Sequence, residues 1–229
     1  MIGIIGAMQK EIEILLDAMT IVSQVNIADK TFYQGKLSGK DVVVVQSGIG
    51  KVNAAMTATA LLMRFDVEYV INIGLAGGLK PSKVGEIVLA SGITYFDVSL
   101  EAIDDLPFGQ MANDPFQVRS DDVLLQKAKF VFTDLNVPWL TGRIVSGDTF
   151  VTDISLLNRI LPLCPDALAV EMEGMAIGLA CYKFGIKFLS IRGISDVIGA
   201  TDQQVVYQNV SERIAHTTAG FVIRFLELS

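Results

Sequence analysis

Apolar positions along this chain come in short continuous runs and in stripes of helical period, and the two kinds alternate from one end to the other. Residues 1–6 predict a buried strand running into a glycine turn, after which Met8, Ile12, Leu15, Leu16 and Met19 mark one face of a helix. From 21 to 46, Val, Ile and Phe alternate with polar residues, and Ala28-Asp29-Lys30 and Ser38-Gly39-Lys40 are turn signals. That pattern predicts a β-meander closing on Val42 to Val45. Ser47-Gly48-Ile49-Gly50-Lys51 then leads into a helix through Val52, Ala55, Met56, Ala60 and Met63. Tyr69 to Ile73 reads as a strongly apolar strand ending in Gly74-Leu75-Ala76-Gly77-Gly78, and Val84 to Val98 as a long β-rich run. Leu100 to Gln117, with Pro107, Gly109 and Pro115, is the least regular part of the chain. Its Leu106, Phe108, Met111 and Phe116 suit a lid or a subunit contact.

The second half continues the alternation. A helix is expected from Asp121 to Phe132 and a strand from Thr141 to Val145. Thr152 or Asp153 should then cap a helix through Leu157 and Ile160 that Pro162 ends. Met172, Met175, Ala176, Leu179 and Ala180 follow the spacing of a buried helix face, and Ile186 to Ile194 reads as a buried strand ending on Ser195-Asp196. The closing helix, about Gln203 to Leu228, buries Val206, Val210, Ile214, Phe221 and Phe225 and turns His216 to the opposite, solvated face. Strands alternating with helices, without repeat or linker, make residues 1–229 one α/β domain.

Composition narrows the class. A hydrophobic content of 51% with 19% charged residues supports a sizeable core and excludes a disordered chain or a coiled coil. A net charge of −7 without a basic patch argues against nucleic acid and against anionic membrane surfaces. No run of eighteen apolar residues predicts a membrane span, and the short apolar start closed by Lys10-Glu11 does not resemble a signal peptide. Cys164 and Cys181 lie in apolar stretches outside any Cys-x-x-Cys pair, as reduced core thiols of a cytoplasmic protein do.

Acidic residues in apolar elements carry the candidate chemistry. Glu171 and Glu173 enter the helical stripe, Asp196 follows the strand that contains Arg192, and ligands bind at such strand ends in open α/β sheets. Glu11 sits about 40° from Leu15 on a helical wheel, in the first turn after strand one. Each acid alone also fits a helix-dipole or capping role. The glycines around Gly77 allow close backbone approach to a ligand. A phosphate loop would need Gly in place of Val45 and Ser or Thr in place of Val52, and the dinucleotide Gly-x-Gly-x-x-Gly is absent, so no nucleotide cofactor is implied. With the one histidine, His216, expected on a solvated helix face, a Ser-His-Asp triad, a Cys-His pair and a His-ligated metal are not expected.

Six motifs in one order now carry a resemblance that runs from residue 1 to the end of the chain. They are Gly3-Ile4-Ile5-Gly6-Ala7-Met8 with Glu11, Ser47-Gly48-Ile49-Gly50-Lys51-Val52, Gly74-x-Ala76-Gly77-Gly78-Leu79, Val145-Ser146-Gly147-Asp148-x-Phe150, Val170-Glu171-Met172-Glu173, and Arg192-x-Ile194-Ser195-Asp196. The sequence resembles the bacterial 5′-methylthioadenosine/S-adenosylhomocysteine nucleosidases of the nucleoside phosphorylase and nucleosidase superfamily. The resemblance implies a mixed, partly barrel-like central sheet flanked by helices, a homodimer, no cofactor or metal, and release of adenine from 5′-substituted adenosines in methionine salvage.

It also implies roles. Asp196 would protonate N7 of adenine and accept from the 6-amino group, Glu11 would activate water, and Arg192 would orient the water and the acids. Glu173 would accept from a ribose hydroxyl, Met172 would pack on the sugar, Phe150 would stack on adenine, and the backbone of Val151 would read its edge. Ile49 and Tyr207 would line the 5′ pocket, while Met8, Gly77 and Ser195 lie within the matching motifs and complete the substrate-binding set. Glu171 has either a site role or a structural one. The pattern departs from the family at Leu75, where a serine hydroxyl would help hold the water, and at Phe96, where histidine is usual. A phosphorylase of the same fold, an aminodeoxyfutalosine or 5′-deoxyadenosine nucleosidase, and a non-catalytic nucleoside-binding relative are the alternatives. The first is disfavoured because the loop Gly6 to Glu11 offers no Arg and places a carboxylate where phosphate would bind.

Overall fold

The computed structural model describes residues 1–228. Its strands are β1 (Ile2–Gly6), β2 (Thr20–Ile27), β3 (Lys30–Leu37), β4 (Lys40–Gln46), β5 (Tyr69–Gly78), β6 (Ile87–Tyr95), β7 (Val118–Arg119), β8 (Trp139–Ser146), β9 (Ala167–Glu171) and β10 (Lys187–Val197). The helices are α1 (Gln9–Ala18), α2 (Lys51–Arg64), α3 (Asp122–Asp134), α4 (Gly174–Phe184) and α5 (Gln203–Glu227). The strands form one mixed sheet in which β5, β10, β6, β8 and β9 close into a ring. From β5 the sheet continues through β1 and β4 into the antiparallel β3 and β2. The partly barrel-like α/β fold expected from the resemblance is the fold observed.

Two apolar layers hold the helices to this sheet. Ile4, Leu15, Ile71, Leu189, Phe221 and Phe225 belong to the core under α1, α3 and α5, while Ile5, Ala58, Leu61, Val70, Ile177 and Phe188 belong to the core under α2 and α4. Within the first layer Phe132 stacks on Phe221 with ring centroids 3.9 Å apart.

One feature of β5 opens the site. Its first half pairs with β1 from Tyr69 to Asn72, and its last two residues, Gly77 and Gly78, pair with β9. Between them, on that side, the strand has no ladder partner, so the backbone donor of Leu75 is free to bond a side chain.

Several sequence expectations need correction. The strand expected over Tyr69 to Ile73 does not stop there: Gly74 to Gly78 are the last five residues of β5, held by β10 on the other side. Likewise β10 does not end at Ile194 but runs to Val197 through an irregularity between Ile194 and Asp196, so Asp196 sits in a strand. Glu171 ends β9 and Glu173 occupies the N-cap of α4, which starts only at Gly174. Met172 therefore lies in the connection and not on the helical stripe, because pairing with β8 keeps the chain extended through Glu171. The segment after Asp153 forms two short 3₁₀ turns, Ile154–Leu157 and Leu161–Leu163, in place of one helix. Asp153 accepts from Ser155 as the cap, and Pro162 lies inside the second turn.

Burial also differs from expectation. On α2 the buried face is Ala54, Thr57, Ala58 and Leu61, so Val52, Met56 and Met63 point outward. Phe108 and Phe116 of the irregular segment pack against their own chain's third apolar cluster, leaving Ile103 and Met111 exposed. Val206 and Val210 are half-buried. His216 is not free in solvent: packing of α1 on α5 places its Nε2 3.0 Å from Glu13 Oε1. Together with Glu212 these side chains bring their ligand atoms within 4.8 Å of one another, on residues that do not line the cleft described below. Both cysteines are free and buried.

Candidate active site

A cleft of about 580 Å³ lies where β5, β9 and β10 end and α1 and α5 begin. The volume includes the open mouth, and the mixed apolar and carboxylate lining is of the kind that takes a small ligand. Every residue given a catalytic or binding role in the sequence lines the cleft except Arg192, which lies buried beneath it.

Glu11 is built in by the first turn of α1. As the third helical residue it folds back on the helix start, where its Oε2 accepts from Ala7 N at 2.7 Å and Met8 N at 2.9 Å, the return half of a capping box. Its Oε1 accepts from the free Leu75 N at 3.0 Å. Burial raises its pKa above the usual glutamate range, although the Arg192 charge and these three backbone donors all act to lower it. A buried carboxylate with a raised pKa and a fixed orientation is a stronger base than an ordinary surface glutamate.

Asp196 is almost fully buried, with Oδ1 accepting from Ser195 Oγ at 2.6 Å and Oδ2 from Gln203 Nε2 at 2.7 Å. The same Gln203 nitrogen donates to Val151 O at 2.9 Å, and Gln203 Oε1 accepts from Gly199 N at 3.2 Å. Gln203 thus ties the acid and the backbone of Val151 to the first residue of α5. Sequence reading missed it, since nothing local marks a glutamine at a helix start as the partner of a residue 52 positions earlier.

Arg192 and the two glutamates form the floor. Arg192 Nη2 donates to Asn72 Oδ1 at 2.6 Å and to Glu171 Oε2. Its Nη1 lies against Gly74, where an added Cβ would stand 2.3 Å from Nη1 and 2.9 Å from Glu11 Oε1. The glycine therefore lets the guanidinium and the base approach one another across the strand. Asn72, whose own Nδ2 donates to Ile5 O at 3.1 Å, was also missed, although an amide inside the apolar run Tyr69 to Ile73 was a readable signal. Glu173 Oε1 accepts from Gly50 N at 2.9 Å. Burial first, and the Glu171 charge second, push its pKa up to about 7.

The open end of the cleft is apolar. Phe150 is half exposed and meets Tyr207 edge to face at 5.5 Å, Tyr207 Oη contacts Met8 Sδ at 3.8 Å, and Ile49 is 53% exposed. Leu75 packs with Ile214 and Ala215 of α5, with Met8 and Tyr207 against them. Phe96 lies away from the cleft, in an apolar cluster with Val145, Val151 and Leu157.

A cleft with one carboxylate held as an acceptor on each wall, set in this ring of strands, defines a class. The model of the phosphorylase superfamily matches residues 1–227, and the chain belongs to that superfamily. A 5′-methylthioadenosine/S-adenosylhomocysteine nucleosidase of Staphylococcus haemolyticus is 40% identical over 86% of each chain. The crystal structure of the nucleosidase of that name from Colwellia psychrerythraea, in complex with adenine, is 39% identical and superposes with a TM-score of 0.92 over 98% of this chain and 93% of that one. The futalosine hydrolase of Helicobacter pylori is 29% identical, with a TM-score of 0.92 over 100% of this chain and 97% of that one. Within the superfamily the chain groups with the methylthioadenosine/S-adenosylhomocysteine nucleosidases. No helix among the described residues is long and apolar enough to cross a membrane.

Proposed function

We propose that this protein hydrolyses the N-glycosidic bond of 5′-substituted adenosines, 5′-methylthioadenosine and S-adenosylhomocysteine foremost, and releases adenine. One observation carries the reading: two buried carboxylates from different elements, Glu11 and Asp196, line one cleft. Breaking the bond builds positive charge on the ribose and negative charge on the purine. Glu11 takes a proton from water as the water oxygen attacks C1′. The C1′–N9 electron pair passes to the purine, and protonated Asp196 gives its proton to N7. The backbone of Val151 reads the purine edge, Phe150 stacks on the ring, Glu173 accepts from a ribose hydroxyl, and Met172 covers the sugar. Ile49, Tyr207 and Met8 line the 5′ end, with Gly77 and Ser195 shaping the purine side.

The substrate is small, and the assembly we propose is a cytoplasmic homodimer whose segment Leu100–Gln117 covers the partner's 5′ pocket. Exposed Ile103 and Met111 on that segment and exposed Val52 and Met56 on α2 support the contact. Free, buried thiols support the compartment.

A phosphorylase would need cations for phosphate. Lys10, in the first turn of α1, donates to Ser211 Oγ at 2.8 Å, and Arg192 is committed to Glu171 and Asn72. Incubation with 5′-methylthioadenosine, with and without phosphate, tests the reading. Adenine and free methylthioribose in both samples, unaffected by chelator, is the expected outcome, and a ribose 1-phosphate product overturns it.

A further inference from the structure

Glu171 belongs to the pocket yet has no step in the chemistry above. Its Oε2 accepts three hydrogen bonds: from Glu173 N at 2.9 Å, from Gly174 N at 2.7 Å, and from Arg192 Nη2. Gly174 makes room for it, since a Cβ there would stand 3.0 Å from Glu171 Oε1. The carboxylate therefore fixes both the turn that presents Glu173 and the guanidinium that lies beside Glu11. We infer that Glu171 is the positioning residue that locks the ribose acceptor Glu173 and the cation Arg192 into one unit. The inference rests on the hydrolase reading for the identity of the hydroxyl that Glu173 receives.

A cap and a buried ion pair could serve the fold alone. What separates the two accounts is the electrostatic environment of Glu173. It faces Glu171 on β9, Arg192 on β10, Glu11 on α1 and the N–H of Gly50 before α2. Glu173 accepts from a hydroxyl more strongly when ionised, and its pKa stands near 7. Affinity for a ribose hydroxyl therefore improves as pH rises through that value. Removing the Glu171 charge removes a repulsion, so the midpoint of that improvement moves to lower pH, while the lost anchors loosen Glu173.

The test compares wild type and Glu171→Gln on 5′-methylthioadenosine and on its 2′,3′-dideoxy analogue, across pH. On the ribose substrate kcat/KM should fall roughly 10- to 100-fold, the range for losing a charge-assisted hydrogen bond. On the dideoxy analogue, which Glu173 has no hydroxyl to grip, the loss should be severalfold smaller. The KM ratio of the two substrates should show its pH midpoint shifted downward in the variant. Equal losses on both substrates with an unmoved midpoint overturn the inference. Should the Gln variant not fold, Glu171→Asp, which keeps the charge but shortens the reach, takes its place and is read by the difference between the two substrates alone, equal losses overturning the inference. An Asp variant that also fails to fold counts against the inference, because the carboxylate then serves folding. If wild type releases no adenine at all, the hydrolase reading fails. Calorimetric binding of the same two compounds then reads the Glu171 claim separately.

Discussion

The two ends of the cleft are built to different standards. At the purine and ribose end, Glu11, Glu171, Glu173, Arg192, Ser195 and Asp196 are all buried, and each has a hydrogen bond to backbone or to a strand residue. At the 5′ end, Ile49 and Phe150 are about half exposed, and Tyr207 meets Phe150 through its ring and Met8 through the sulfur. A preorganised end is where charge develops, because fixed donors and acceptors cost no rearrangement during reaction. An apolar, half-open end fits a variable substituent, because apolar contact discriminates weakly between groups of similar size.

The comparison breaks most sharply at Asp196. Asp196→Asn keeps the shape, and the new amide nitrogen can turn to Ser195 Oγ while its oxygen still accepts from Gln203. It cannot deliver a proton to N7. A loss of roughly 10² to 10⁴ in kcat is expected, and steady-state release of adenine checks it; a loss under about tenfold would remove Asp196 as the general acid.

Glu11→Gln should cost nearly as much, and in kcat more than KM. Here the amide also meets a packing of donors: Ala7 N, Met8 N and Leu75 N all point at the two oxygens, so one N–H is left facing the new NH₂. A lower melting temperature should therefore accompany the kinetic loss. In the wild-type protein, burial raises the Glu11 pKa, and the base acts only when ionised. The acid limb of the kcat profile should therefore lie above the ordinary glutamate range, with activity rising as pH increases through it. An acid limb at the usual glutamate value would separate that titration from Glu11.

The 5′ end should respond less, and in a different parameter. Ile103→Asp places a charge on the exposed apolar segment. If that segment covers a partner's pocket, the variant should sediment as a monomer and KM for methylthioadenosine should rise about tenfold, with inhibition by free adenine unchanged. A dimer with unaltered kinetics would sever the link between the segment and the pocket.

How much of this was legible beforehand follows the same division. The acids were visible because charge inside apolar periodicity is costly, and Glu11, Glu171, Glu173 and Asp196 do converge. Most of the strand and helix order was visible from period, but the short strands β7 and β9 were not, and the helix expected after Asp153 is two 3₁₀ turns. The ends of β5 and β10 were not visible either, because glycines that read as the end of a strand can be held in it by neighbours on a closed ring. Nor was the outward face of α2: alanines and methionines share a helix too evenly for periodicity to say which side is buried. Gln203 reaches Val151 from far along the chain, which no local pattern encodes, whereas Asn72 was marked by its place in an apolar run and only its partner Arg192 was hidden.

The smallest effect concerns Leu75, which stands where the related pattern has serine. Its backbone N–H keeps its bond to Glu11, so the substitution leaves the base anchored. Its side chain is nearly buried against Ile214 and Ala215, so it leans on α5 while still lining the cleft. Bulk packed on a helix displaces the attacking water less than bulk turned into the cleft would, and what is missing is one hydroxyl. A neutral hydrogen bond to bound water is worth about 0.5 to 1.5 kcal/mol, a two- to tenfold effect on rate. Leu75→Ser should raise kcat by that factor with little change in KM. It should also lower stability, since deleting a buried leucine typically costs about 2 to 5 kcal/mol. The two outcomes are read separately, by steady-state kinetics on methylthioadenosine and by thermal unfolding. A serine variant that is both less stable and slower would mean that the leucine holds α5 and Tyr207 in their working position, and the water would then have to be held by Glu11 and Arg192 alone.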